Sequence, residues 1–88
     1  MNWKIEVKPF AEKYYLKLDK KTRARMKEAL RELENTDDSV LRPSVRALTG
    51  KLRGDYRLRV GKWRVLFTPD VEKKTLYVFA ILPRGNAY

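Results

Sequence analysis

Cysteine and histidine are both missing from this 88-residue chain. The first absence excludes disulfides and thiolate nucleophiles; the second removes the commonest metal ligand and the side chain that titrates near neutrality. No stretch is long and apolar enough to span a bilayer, and nothing resembles a signal peptide, so a cytoplasmic protein is expected. No segment joins a basic face to a long apolar one, which argues against a membrane surface as partner. Internal repeats, low-complexity tracts and interdomain linkers are lacking as well. The length suits one domain over residues 1–88, with a single core burying on the order of 60 to 65% of the unfolded surface.

Acidic residues are the other scarcity. Lys and Arg number 21 against 11 Asp and Glu, a net charge of +10. Residues 1–38 hold ten basic and eight acidic groups, net +2, whereas residues 39–88 hold eleven and three, net +8. Asp55 is the only carboxylate between Ser39 and Thr68. A field this uneven attracts polyanions, and phosphate-rich nucleic acid is the leading candidate.

Residues 2–8 alternate Trp3, Ile5 and Val7 with Lys4, Glu6 and Lys8, a short strand with one buried face. Pro9 stops it and suits the first turn of a helix over residues 9–18, where Phe10, Tyr14 and Leu18 recur at four-residue spacing. Asp19 is the expected N-cap of a second helix, whose Met26, Ala29, Leu30 and Leu33 form a core stripe and whose polar face alternates charge (Arg25, Glu28, Arg31, Glu34). Asn35 to Asp38 ends it. Ser39 to Gly54 is a basic connection with room for a helical turn at Ser44 to Leu48. A turn around Asp70 to Lys74 then leads to Thr75–Leu82. That run is apolar throughout apart from the Tyr77 hydroxyl, so it belongs in the middle of a sheet or under cover on both sides. Pro83 ends it.

The segment Tyr56-Arg-Leu-Arg-Val-Gly-Lys-Trp-Arg-Val-Leu-Phe67 reads as two alternating strands joined by a Gly61-Lys62 turn of type II′. In that register Val60 faces Trp63, Arg59 faces Arg64, Leu58 faces Val65 and Arg57 faces Leu66. Tyr56, Leu58, Val60, Trp63, Val65 and Phe67 then share one face, and their aromatic rings belong to the core. The opposite face carries Arg57, Arg59 and Arg64. Like charges directly opposed destabilise a sheet, so the Arg59 and Arg64 pair implies an anion that both bind, with phosphate the obvious one. The plainer reading is that these cations solvate an exposed face and deter edge pairing.

The order strand, helix, helix, strand, strand, strand gives an α+β fold: an N-terminal strand plus a C-terminal three-stranded antiparallel meander, covered on one face by two helices. Here the chain resembles the RelE/ParE toxins of bacterial and archaeal toxin–antitoxin pairs, the RelE branch in particular. The resemblance rests on Leu52-Arg-Gly54, on Tyr56 to Phe67 as written above, and on the tail Leu82-Pro-Arg-Gly-Asn-Ala-Tyr88. It covers essentially the whole chain, since size and element order match too.

That resemblance implies a ribosome-dependent messenger-RNA endonuclease needing no metal or other cofactor, which cuts by in-line attack of a ribose 2′-hydroxyl. It implies that Arg57 and Arg59 take the places of two strand lysines of the family, and that Arg64 clamps the phosphate. Arg84 corresponds to the arginine proposed as general acid, and Tyr88 to the aromatic that stacks on or orients a base. With a guanidinium pKa above about 12, Arg57 fits charge clamping better than proton abstraction, and the base stays open between ribosomal RNA and water. Lys51, Arg53 and Lys62 are further candidates for gripping an RNA backbone; the first two also suit an acidic partner. The family implies an acidic, amphipathic antitoxin of RelB type wrapping the toxin in a hetero-oligomer, with ribosome and message as the other partners. Two alternatives stay open: a ParE-like toxin that inhibits DNA gyrase without catalysis, and a plain RNA-binding module.

Overall fold

The computed structural model describes residues 3–35, 45–48 and 54–83. Its elements are β1 (Lys4–Val7), α1 (Pro9–Lys17), α2 (Lys20–Glu34), β2 (Val45–Ala47), β3 (Tyr56–Val60), β4 (Trp63–Asp70) and β5 (Thr75–Pro83). The strands form one sheet in the order β1-β5-β4-β3-β2. The last three make the expected antiparallel meander, and β1 joins β5 in parallel. The apolar β5 thus lies inside the sheet between β1 and β4, where both its faces and both its edges are used.

The hairpin has the register that alternation predicts, from Val60 opposite Trp63 to Tyr56 opposite Phe67. Gly61 has φ +58°, and among the described residues Lys74 is the only non-glycine with positive φ. Lys62 therefore keeps a negative φ, which is the signature of a type II′ turn rather than type I′.

Capping is also as expected. The Asp19 side chain accepts a hydrogen bond from the Thr22 backbone N–H at the start of α2. At its end the Asn35 side chain donates to the Arg31 carbonyl at 3.1 Å. Pro9 occupies the first turn of α1. This helix turns a different face inward from the one its aromatic spacing suggested: Phe10 and Tyr14 are exposed, while Ala11 and Leu18 are buried and Tyr15 packs against the core. A methyl side chain at Ala11 lets the helix lie close on β5, and the bulkier Phe10 and Tyr14 are left to pack on each other, ring centroids 5.0 Å apart.

A second difference concerns residues 45–48, within the turn expected at Ser44 to Leu48. Val45–Ala47 is an edge strand, not a helical turn, and pairs antiparallel with β3. Strand β3 would otherwise present unpaired N–H and C=O groups along its free edge, and a short strand satisfies them at the cost of three residues of local helical preference.

The main core lies between sheet and helices. Met26 and Leu33 of α2 meet Leu58, Val65, Phe67, Leu76, Val78 and Ile81. Trp3 closes one end, its backbone N–H donating to the Glu34 carbonyl at 3.1 Å. Strand β5 reaches this core with even-numbered residues at Leu76 and Val78, then with odd-numbered Ile81. The change of parity comes from a bulge: Leu66 pairs with Ala80 and Phe67 with Val78, so Phe79 is the extra residue. It joins a smaller apolar cluster of Leu48, Leu66 and Ala80 on the far face, opposite to the one that α1 and α2 cover.

Candidate functional site

That far face is the one the hairpin arginines occupy. Moving along it from the hairpin tip, the first row sets Arg59 directly opposite Arg64. Both line a small cleft of about 150 Å³ with Gly61, Lys62 and Trp63. Two residues further, Arg57 is flanked by Leu66 on one side and by Arg46 on the other. The step between the rows is about 7 Å.

Two arginine pairs therefore stand on one face, both in direct cross-strand positions where like charges repel. Their floor is apolar: Leu66 is buried, with Leu48 and Ala80 beside it and Leu82 packed against them. Arg57 and Arg64 are half-buried over it and lose part of their hydration, while Arg46 and Arg59 stay exposed, so an anion reaching the first two is attracted more strongly than it would be in open water. Arg57 carries a specific vacancy in its bonding. Its Nε is buried without a hydrogen-bond partner among the described residues. A donor left in that state costs roughly 1–3 kcal/mol, which an acceptor oxygen placed there would relieve.

Sequence reasoning identified Arg57, Arg59, Arg64 and Lys62, and the structure brings these four to one face and one turn. It missed Arg46. The strand carrying Arg46 is three residues long, too short for alternation to show. Arg84, Tyr88, Lys51 and Arg53 lie outside the described residues. Tyr56, Trp63 and Phe67 belong to the helix side, with Tyr56 stacked on Phe67 at 6.0 Å between ring centroids.

The carboxylates on this face are few. Asp55 sits one further row from the tip and accepts a hydrogen bond on Oδ1 from the Thr68 hydroxyl at 2.7 Å. Beside it are Tyr77, whose ring lies under the Lys8 ammonium at 4.8 Å, and Phe79. On the opposite side of the molecule a groove of about 460 Å³ opens between the two helices, lined by Tyr15, Leu16, Leu30 and Ile81 with charged residues at its rim. Among the described residues no cluster of metal-ligating side chains occurs, and no helix is long and apolar enough to cross a membrane.

Comparison with known proteins agrees with this architecture. Residues 5–88 match the family model described as the ParE toxin of the type II toxin–antitoxin system parDE. The chain is 27% identical to the RelE of an archaeal RelE–RelB complex from Pyrococcus horikoshii, with a TM-score of 0.81 and coverage of 99% of this chain and 100% of that one. The isolated RelE toxin of E. coli superposes with a TM-score of 0.76 at 17% identity, covering 97% of this chain and 87% of that one. A YoeB/ParE toxin from Agrobacterium tumefaciens gives 0.76 at 14% identity, covering 92% and 98%. The last two likenesses attest the fold alone. No curated protein matches the chain.

Proposed function

The chain belongs to the ParE toxin family of type II toxin–antitoxin systems, within the RelE/ParE superfamily, and from that premise we propose that it is a ribosome-dependent messenger-RNA endonuclease. The observation that carries this reading is the pair of opposed arginine pairs, Arg59 with Arg64 and Arg46 with Arg57, on one sheet face. In a sheet that binds no polyanion, two like-charge pairs in register oppose folding; a sheet that receives a phosphodiester gains a clamp.

The reaction in this reading is an in-line displacement. A ribose 2′-oxygen attacks the adjacent phosphorus, the bond to the 5′-oxygen breaks, and the products are a 2′,3′-cyclic phosphate and a 5′-hydroxyl. Negative charge grows on the non-bridging oxygens as phosphorus becomes five-coordinate. Arg59 and Arg64 would hold those oxygens, being always charged and pre-aligned by the ladder. Arg57 and Arg46 would hold the next phosphate along the strand. The roles assigned by resemblance to Arg84, as donor to the leaving oxygen, and to Tyr88, against a base, belong to this proposal, as do backbone contacts from Lys51, Arg53 and Lys62. The proton of the 2′-hydroxyl goes to ribosomal RNA or water.

An antitoxin is the expected protein partner. The Pyrococcus horikoshii relative is a complex of RelE with RelB. A partner for the present chain, at net charge +10, would be acidic, and the chain would be held with it in a hetero-oligomer.

The test is to add purified protein to ribosomes programmed with message and map the new 5′ ends. Defined cuts, lost in Arg64→Ala, support the reading; intact message at stoichiometric toxin sinks it. The family description, a ParE toxin, favours one competing function, inhibition of DNA gyrase. A supercoiling assay run in parallel separates the two.

A further inference from the structure

Beyond the arginine rows, we infer that the depression formed by Asp55, Thr68, Tyr77, Phe79 and Lys8 is a base-recognition subsite that selects a nucleobase bearing an exocyclic amino group; the inference rests on the proposed single-stranded RNA substrate.

The depression, about 470 Å³ and open to solvent, lies on the same sheet face as the arginines. Thr68 pairs with Tyr77 across β4 and β5, and Asp55 is joined to Thr68 by the 2.7 Å hydrogen bond. The row they form is one two-residue step, about 7 Å, from the row of Arg46 and Arg57. Such a step is comparable with the distance between neighbouring phosphates of an extended single strand. A chain seated on the two arginine rows therefore continues onto this depression.

At the Asp55 and Thr68 wall its chemistry is one-sided. The single proton of the Thr68 hydroxyl is committed to Asp55 Oδ1, which leaves Asp55 Oδ2 and the Thr68 oxygen as acceptors. Neither group can donate to a base edge. Approached from the Hoogsteen side, away from the imino N–H that uracil and hypoxanthine carry on their Watson–Crick edge, cytosine N4 and adenine N6 present an amino donor, which carboxylates accept, whereas uracil O4 and hypoxanthine O6 are carbonyls and would meet two acceptors. Asp55 also stands out electrostatically. In a chain of net charge +10 it forms no ion pair among the described residues, although Arg57 is two positions away.

The remaining groups suit a base and its backbone. Phe79 is the bulge residue, pushed out of the ladder onto this face, and bulges commonly re-aim a side chain beside a site. Its ring is half-buried against the apolar floor and offers a stacking surface of the kind that single-stranded nucleic acids use. The Lys8 ammonium over Tyr77 supplies a cation at the rim for the flanking phosphate.

The experiment uses the full chain and fluorescein-labelled uridine heptamers whose central residue is uridine, cytidine, adenosine or inosine, with affinity read by anisotropy at one fixed ionic strength. The pairs C against U and A against I differ in amino versus carbonyl at nearly constant shape, and they separate a pyrimidine from a purine site. Wild type should favour the amino base of at least one pair by about tenfold, the discrimination expected of one base-edge contact. In Asp55→Asn, whose amide donates to the carbonyl, that preference should fall to within about twofold while Arg64→Ala weakens all four heptamers alike. Thr68→Val removes the Thr68 oxygen but frees Asp55 Oδ1, so two acceptors remain and the preference should persist. Equal binding within both pairs by wild type, or a preference that persists in Asp55→Asn, would overturn the subsite. Base preference without cutting of ribosome-bound message removes the endonuclease reading and leaves the subsite standing; cutting without base preference does the reverse.

Discussion

Arg46 stands directly opposite Arg57 across the β2 and β3 ladder, one row from the Arg59 and Arg64 pair. Each pair opposes folding slightly and favours an anion strongly, so stability and activity should respond to these residues with opposite signs.

Replacing Arg59 by Gln removes a like-charge pair while keeping a long polar side chain. Unfolding free energy should rise by a few tenths of a kcal/mol, up to about 1 kcal/mol. Cleavage of ribosome-bound message should fall at the same time. Urea titration and 5′-end mapping on the same preparation read the two effects.

Arg64→Ala should lower the cleavage rate by on the order of a hundredfold or more, the range for losing one preorganised donor to a developing oxyanion. Unlike Arg59, Arg64 is half-buried, so single-turnover rates at saturating toxin should be used to separate chemistry from binding.

For Arg46→Ala the expectation is weaker binding more than weaker chemistry. The slope of log affinity against log salt for a single-stranded RNA should fall by roughly 0.7 if one phosphate contact is lost. An unchanged slope would place Arg46 outside the RNA track.

Gly61→Ala should destabilise the hairpin. The position has φ +58°, and the Arg25 guanidinium of α2 lies 3.5 Å from where a Cβ would stand. The backbone strain is about 1–2 kcal/mol, and 3.5 Å is an ordinary van der Waals contact, so strain dominates. A fall in the denaturation midpoint with unchanged m-value checks it.

Asp19 gives the fold a pH dependence. The Thr22 hydroxyl and backbone N–H beside Asp19 hold its carboxyl below the usual carboxylate range. With the folded pKa below the unfolded one, the unfolded chain takes up the proton first. The stabilisation is thus complete at neutral pH and is lost as pH falls through the lowered value. Thermal melts of wild type and Asp19→Ala should differ at pH 7 and converge in strong acid.

Much of this was legible from the chain itself. Alternation of Leu58, Val60, Val65 and Phe67 with Arg57, Arg59 and Arg64 set the hairpin register, because a slip of one residue would bury every arginine. The Gly61-Lys62 dipeptide determined the turn type, and Asp19 with the Met26, Ala29, Leu30 and Leu33 spacing determined α2, since these signals act over a few bonds or one helical turn. What needed the tertiary structure is what depends on residues distant in sequence. Val45–Ala47 became a strand because β3 had an open edge to fill, and only that pairing brought Arg46 beside Arg57. The inward face of α1 was chosen by how closely Ala11 could approach β5, not by the aromatic spacing along the helix. The bulge at Phe79 arose from the fit between β4 and β5, and it set Phe79 at the depression beside Asp55. Local periodicity records which side of an element is apolar; it holds no information about which element lies on the other side.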